Sequence, residues 1–304
     1  MTLQQMEYIV AVDYHRHFAR AAEACNVTQS TLSALIHKLE LELDVQIFNR
    51  NAHPVKPTDV GKDIIEQARK TLHHASQVIE LVASKKENHL GNIVIGISPS
   101  ITPYTSAKFI EFLSLHHPGL NVEIIDGLTP SLAKEMDNDN IELIITTRPP
   151  SDDEYLVIPI FSGQFLTYIS KSDPLYNKRR VRLSDLDLNR FWPIPEMYPD
   201  ALKPHNTKKS NISYSGSHIN TLLDIIDNNS GFTIIPELYV NKLSKAQKKN
   251  VRPIIDANAR HEVSIVIKKD FIRQKVLNIF IDAFKSFVPP EMLNNRIRNY
   301  TTRL

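Results

Sequence analysis

Hydrophobic and polar positions follow two regimes along the chain, changing near residue 90. In the first, apolar residues recur every three or four positions. Leu3, Met6, Ile9 and Val10 mark a helix over 3–13, whose pattern stops near Tyr14-His15-Arg16-His17. A short helix follows from Phe18, with Ala21, Ala22 and Cys25 on its inward side. Small residues there allow two helices to cross steeply. Asn26-Val27 reads as a turn, and Thr28 as the N-cap of a third helix ending near Leu43. In that helix Leu32, Leu35, Ile36, Leu39 and Leu43 form the expected buried stripe. Gln29, Ser33 and His37 line the opposite face, with Ser30 and Ala34 beside them. Val45–Arg50 and Asn51–Pro57 read as two short extended pieces joined by a polar tip. Thr58-Asp59 caps a further helix, and Gly61 permits close packing at its start.

That fourth helix is expected to run to about Lys86. Ile65, Ala68, Leu72, Ala75, Ile79 and Val82 alternate by three and four, as a heptad seam does. A helix packed on its own domain needs a broader apolar stripe than this one. The flanks are polar (Glu66, Gln67, Arg69, Lys70, His73 and His74), so the expectation is a pair of helices from two copies of the chain. Residues 83–89 read as a polar hinge.

Beyond Leu90, strand-length apolar runs alternate with capped helices. Ile93–Ile97, Val122–Asp126 and Ile141–Ile145 are expected strands, and Thr102-Pro103 and Thr129-Pro130 each open a helix. This alternation argues a parallel sheet with crossover helices. The pattern repeats with a candidate strand at Phe191–Ile194 and a helix through Leu222, Leu223, Ile225 and Ile226 that Ser217 caps. In such sheets a small molecule sits off the carboxyl ends of the strands, beside helix N-termini. Three loops qualify: Ser98-Pro99-Ser100-Ile101-Thr102, Gly127-Leu128-Thr129 and Thr146-Thr147-Arg148. Ser98, Ser100, Thr102, Thr129, Thr147, Arg148 and Ser217 are therefore the candidate effector contacts. Plain N-capping is the competing role for Thr102, Thr129 and Ser217, and a surface position that for Arg148.

Composition narrows the chemistry. The 304 residues hold 36 Lys+Arg against 34 Asp+Glu, a net charge of +2, and are 42% hydrophobic, the balance of a globular protein. Residues 1–90 are close to neutral, so a nucleic-acid partner has to be argued from a face rather than from the total. The single cysteine, Cys25, excludes an intramolecular disulfide and a Cys-only zinc cage. No window of 18 residues is continuously apolar, and Met1–Glu7 lacks the basic and apolar regions of a signal peptide. A cytoplasmic protein without a membrane span is expected. Neither an enzyme nor a metal or other cofactor is expected. Ser217-His218 are neighbours that do not face each other on a helix, and the pairs His116-His117 and His73-His74 lack further ligands. The eight glycines form no G-x-G.

The first sixty residues carry a resemblance. Ala21-Ala22-Glu23, Thr28-Gln29-x-x-Leu32-Ser33, Ile36-x-Lys38-Leu39-Glu40, Ile47-Phe48-x-Arg50 and Thr58-x-x-Gly61 look like the winged helix-turn-helix of LysR-type transcriptional regulators. Glu7–Ala11, His15–Phe18 and Ala24-Cys25-x-Val27 resemble the OxyR-like branch of that family. Ser30 stands where the family usually has Pro, and Asp44 where it usually has Gly. Phe165–Ile169 and Val263–Ile267 resemble the two strands that cross between the lobes of the family's effector domain. Ser230–Pro236 resembles a turn, strand and helix start of its second lobe.

The resemblance implies an all-α winged helix-turn-helix domain (1–58), a linker and dimerisation helix (59–90), and an α/β two-lobed, type II periplasmic-binding-protein-like effector domain (91–304). Lobe I would span about 91–161 and 267–304, and lobe II about 162–266. It also implies a regulator that binds double-stranded DNA as a homodimer or dimer of dimers and answers to an unidentified small-molecule effector. RNA polymerase is a further candidate partner. Short polar residues at the start of a recognition helix suit base edges in the major groove. Gln29, Ser30, Ser33 and His37 are the expected base contacts, and Thr28, Lys38, Arg50 and Lys56 the expected phosphate contacts. Family effector pockets place hydroxyls where Ser100 and Thr129 stand here. The OxyR-like branch senses peroxide through a cysteine pair in the second lobe. The equivalent stretch here, about Ile194–Ser213, has no cysteine; Met197 is its one oxidisable sulfur.

Overall fold

The computed structural model describes residues 1–49, 52, 54–83, 90–194, 196–198, 214, 216 and 218–298. The chain folds as two compact units, the second beginning at Leu90. Arg50, the hinge residues 84–89, Ser217 and most of the Ile194–Ser213 stretch lie outside the described residues.

In the first unit, α1 (Leu3–His15) opens with a capping box. The Thr2 hydroxyl accepts the Gln5 amide, and the Gln5 carboxamide oxygen accepts the Thr2 amide. The buried residues of α1 are Gln5, Tyr8, Ile9 and Val12, with Met6 and Val10 packed against the same core, so of the expected Leu3-Met6-Ile9-Val10 stripe only Leu3 is exposed. Gln5 can lie inside because its side-chain N–H also donates to the Leu35 carbonyl at 3.2 Å. α2 (Phe18–Ala24) buries Ala21 and Ala22 as expected. Cys25 is its C-cap, half-buried and packed against the same core; burial first, then Glu7, raises its thiol pKa.

Thr28 caps α3 (Gln29–Leu43) by accepting the Thr31 amide at 3.2 Å. Leu32, Ile36 and Leu39 enter the core and Leu35 packs against it, but Leu43 is exposed and Glu40 is buried in its stead. The Glu40 carboxylate accepts the amides of Ile47, at 2.9 Å, and Phe48, at 3.3 Å. α3 ends on Asp44 in the left-handed region, φ 53°. β1 (Phe48–Asn49) and β2 (Lys56–Pro57) pair antiparallel and form the wing. α4 (Asp59–Ala83) follows. The Thr58 hydroxyl donates to the Gln46 carbonyl at 2.6 Å and accepts the Gly61 amide at 2.9 Å. A Cβ on Gly61 would sit 2.0 Å from the Ile47 carbonyl oxygen, so only glycine fits there.

In the second unit, β3 (Gly91–Ile97), α5 (Thr102–His116), β4 (Leu120–Asp126), α6 (Thr129–Asp137) and β5 (Leu143–Thr146) alternate, with β3 parallel to both β4 and β5. The long β6 (Tyr155–Ile169) then leaves this lobe. α7 (Ile219–Asn228), β7 (Phe232–Pro236) and β8 (Val251–Pro253) belong to the other. β9 (Arg260–Lys268) returns antiparallel to β6 and joins β5, and α8 (Gln274–Phe287) packs back on the first lobe. The order is β4-β3-β5-β9-β6-β7, with β8 on β6. The expected parallel pairing therefore holds for β4-β3-β5, and the two crossing strands that continue the sheet between lobes are antiparallel. Phe191–Ile194 is not a strand; Phe191 makes a single bridge to Phe232. Phe109 packs on Phe280, Phe284 and Phe287 in the first lobe, and Phe165, Phe191 and Phe232 build the core of the second.

His261 sits where the crossing strands meet, opposite Gly163, with its ring against Phe161 and Phe165. It is 6% exposed, and neither ring nitrogen has a hydrogen-bond partner among the described residues. Burial, with Arg260 adding to it, pushes its pKa down to about 4. The unfolded chain takes up a proton at this ring near pH 6.5, one that the folded chain does not bind until about pH 4. Stability should therefore fall as pH drops from 6.5 toward 4, by up to roughly 3 kcal/mol from this group. Thermal unfolding of wild type and His261→Leu across that range checks this. The variant should lose the corresponding part of the acid slope, and an identical slope would contradict it.

Candidate nucleic-acid interface and effector cleft

Three elements meet to present α3. Its inner face packs on α1 and α2, and its far end is fixed to the wing through Glu40, which turns the N-terminal outer face outward. Thr28, Gln29, Ser30, His37 and Lys38 are exposed and Ser33 is half-buried on that face. The Thr28 hydroxyl bonds those of Ser30, at 2.9 Å, and Thr31, at 2.8 Å. Gln29, Ser33 and His37 follow each other at one-turn spacing, so their side chains rise from one stripe. Lys56 is exposed on β2 of the wing. Arg16 is less available than its exposure suggests, since it pairs with Asp13 at 2.9 Å, and Asp13 also holds Arg69 of α4 at 2.7 Å.

The α4 seam divides in two. Ile65 and Ala68, each 3% exposed, lie in one buried cluster with Tyr8, Ile9, Val12, Leu32 and Ile36. The expected intermolecular seam is thus corrected at its first two positions. The polar flanks make the stripe look narrow, but α1 packs along the start of α4 and covers it, so these two side chains are buried within one chain. Leu72 and Ala75 are half-buried, and Val78 is 66% exposed. Ile79 and Val82 lie on α4 with side chains outside the described residues.

In the second unit the loops at the ends of β3 and β5 converge. Ser98 and Ser100 are buried and share a hydrogen bond of 2.6 Å, and Ser100 reaches Thr147 at 3.2 Å. Thr129 and Thr146 are buried and bonded at 2.5 Å. Neither Thr102 nor Thr129 is an N-cap: each is the first residue of its helix. The Thr102 hydroxyl donates to the Ser98 carbonyl and to Asp126, at 3.1 and 3.0 Å, which sets it apart from the Ser100–Thr147 group. Arg148 is half-buried rather than a surface residue. Its guanidinium donates to the Tyr198 carbonyl at 2.9 Å and lies 5.2 Å from that ring's centre. α7 starts after His218, which makes no side-chain cap.

Two residues that hold these loops together are not among the candidate effector contacts. Thr146 bridges Thr129 and the Arg148 amide, the latter at 3.0 Å. Glu196 accepts the Thr129 amide at 2.8 Å and the Thr129 hydroxyl at 2.9 Å. Thr146 adjoins Thr147 and is within reach of the same strand-end reasoning. Glu196 sits in a proline-containing stretch without periodicity, which leaves no signal for its position.

Residues 3–62 match the family model described as a bacterial regulatory helix-turn-helix protein, lysR family, and residues 86–288 match the LysR substrate binding domain. The chain belongs to the LysR family of transcriptional regulators. Among its relatives, the hydrogen peroxide-inducible genes activator of Haemophilus influenzae is 27% identical, over 84% of this chain and 85% of that protein. The regulator EstR of Acinetobacter baylyi is 24% identical, over 93% of this chain and 96% of that one. A full-length OxyR variant from Pseudomonas aeruginosa superposes with a TM-score of 0.77 at 26% identity, covering 97% of this chain and 98% of that one. These relatives agree with a two-lobed LysR-type regulator near the OxyR branch. No helix among the described residues is long and apolar enough to cross a membrane.

Proposed function

We propose that this LysR-type regulator reads DNA through the N-terminal outer face of α3. Gln29, Ser30, Ser33 and His37 would meet base edges, while Thr28, Lys38, Lys56 and Arg50 would meet phosphate. The observation that carries this reading is the exposure of short polar side chains at the start of a capped helix whose other face is buried. LysR regulators act as oligomers, and the finer reading is a homodimer joined along α4 beyond Ala68, with Leu72, Ala75, Ile79 and Val82 as the seam. A two-fold dimer places two recognition helices on two half-sites. A small molecule in the inter-lobe cleft, near Ser98, Ser100, Thr129, Thr147 and Arg148, would then shift the arrangement of the oligomer on DNA. Its contact with RNA polymerase, in the cytoplasm, would change with it.

The names of several relatives invite a peroxide switch. The chain's one thiol, Cys25, belongs to the DNA-binding unit, and burial raises its pKa, which lowers the share of reactive thiolate. A small-molecule effector therefore fits this chain better than thiol oxidation does.

Gln29→Ala should lose sequence preference and keep weak, salt-dependent binding, measured as the ratio of specific to non-specific affinity over a salt series. An unchanged ratio would remove Gln29 from the interface. For the seam, Leu72→Glu should run as a smaller species in sedimentation with its thermal unfolding little altered. Ile65→Ala should do the reverse, losing about 2–4 kcal/mol of stability with assembly unchanged. Loss of assembly in Ile65→Ala alone would overturn the division.

A further inference from the structure

The cleft proposed for an effector already holds a carboxylate of the chain's own. Glu196 follows the segment that bridges to β7, and so belongs to the second lobe's side of the cleft. Its side chain reaches the start of α6 in the first lobe, where Oε1 accepts the Thr129 amide at 2.8 Å and Oε2 the Thr129 hydroxyl at 2.9 Å. With the Thr129 hydroxyl committed as that donor, it accepts from Thr146, at 2.5 Å, and the Thr146 oxygen accepts the Arg148 amide at 3.0 Å. The donors therefore run in one direction, from the Arg148 amide through two hydroxyls to the carboxylate. Such a chain strengthens each of its members.

The backbone around Glu196 is fastened to the same loops. Its carbonyl accepts the Thr147 hydroxyl at 3.2 Å, and the Tyr198 carbonyl accepts the Arg148 guanidinium at 2.9 Å. Met197, between them, is 1% exposed. Glu196 itself has φ +60°, a conformation that costs a residue with a Cβ and persists where surrounding contacts impose it.

We propose that Glu196 is a built-in latch, a tethered carboxylate that ties the two lobes together without an effector. Control of the lobe arrangement is then exerted by making and breaking this contact, and a small carboxylate can take the same cradle only when Glu196 leaves it. The regulatory role of the latch rests on the cleft being the control site.

Hydrogen exchange of the full-length protein tests the latch through the peptide spanning Gly127–Ser131. In Glu196→Ala the Thr129 amide loses its acceptor, and exchange there should rise about tenfold. Acetate should slow it again in that variant and leave wild type unchanged, while chloride at the same ionic strength should do neither. Glu196→Gln keeps the size of the side chain and should fold in any case. Its amide group presents a donor to the Thr129 hydroxyl and reverses that end of the chain, so a smaller rise, about threefold, is expected. Wild-type exchange in both variants would overturn the latch, as would acetate acting equally on wild type and Glu196→Ala. The readout needs no DNA, so its outcome is independent of the Gln29 experiment.

Discussion

Glu40 lies at the point where α3, the β1–β2 hairpin and the start of α4 meet. It is 7% exposed, and its carboxylate accepts the amides of Ile47 and Phe48, the residues that lead into β1. The Ile47 carbonyl in turn lies against Gly61, at the start of α4. A buried carboxylate without such donors would be strongly unfavourable, and so would two buried amides without an acceptor. Satisfying both at once fixes how α3 leaves the core and where the wing begins. The outer face of α3 can then be polar without cost to the fold, because Gln29, Ser30 and His37 lie outside the core.

The second unit uses the same chemistry for a different end. At Glu196 a carboxylate again accepts a backbone amide, but the contact joins two lobes rather than two elements of one core. The hydroxyls around it are already paired with one another, so the cleft is a closed network rather than a row of open donors. A ligand entering it has to replace hydrogen bonds that exist, and its affinity is set by the difference.

What can be read from sequence follows from which forces leave a periodic trace. Helices α2 to α4 and strands β3 to β5 are legible because burial imposes spacing on Leu32, Ile36 and Leu39, or continuous runs such as Ile93–Ile97. On α1, Gln5 escapes the pattern because it is buried through specific hydrogen bonds that no hydropathy record shows. Ile65 and Ala68 look like partner contacts because one helix's stripe does not say which surface covers it. In the cleft, Ser100, Thr129 and Thr147 group together from their places at strand ends. Glu196 does not, since its position depends on a left-handed residue in a segment without periodicity.

The proposed two-fold assembly reading DNA through α3 is what would join these features into a regulator. Selection of binding sites from a random duplex library by the full-length protein is its sharpest test. Such an assembly should enrich a pseudo-palindrome of two half-sites separated by whole helical turns. Enrichment of a single unpaired half-site, or of no sequence at all, would show that α3 does not read DNA in this way.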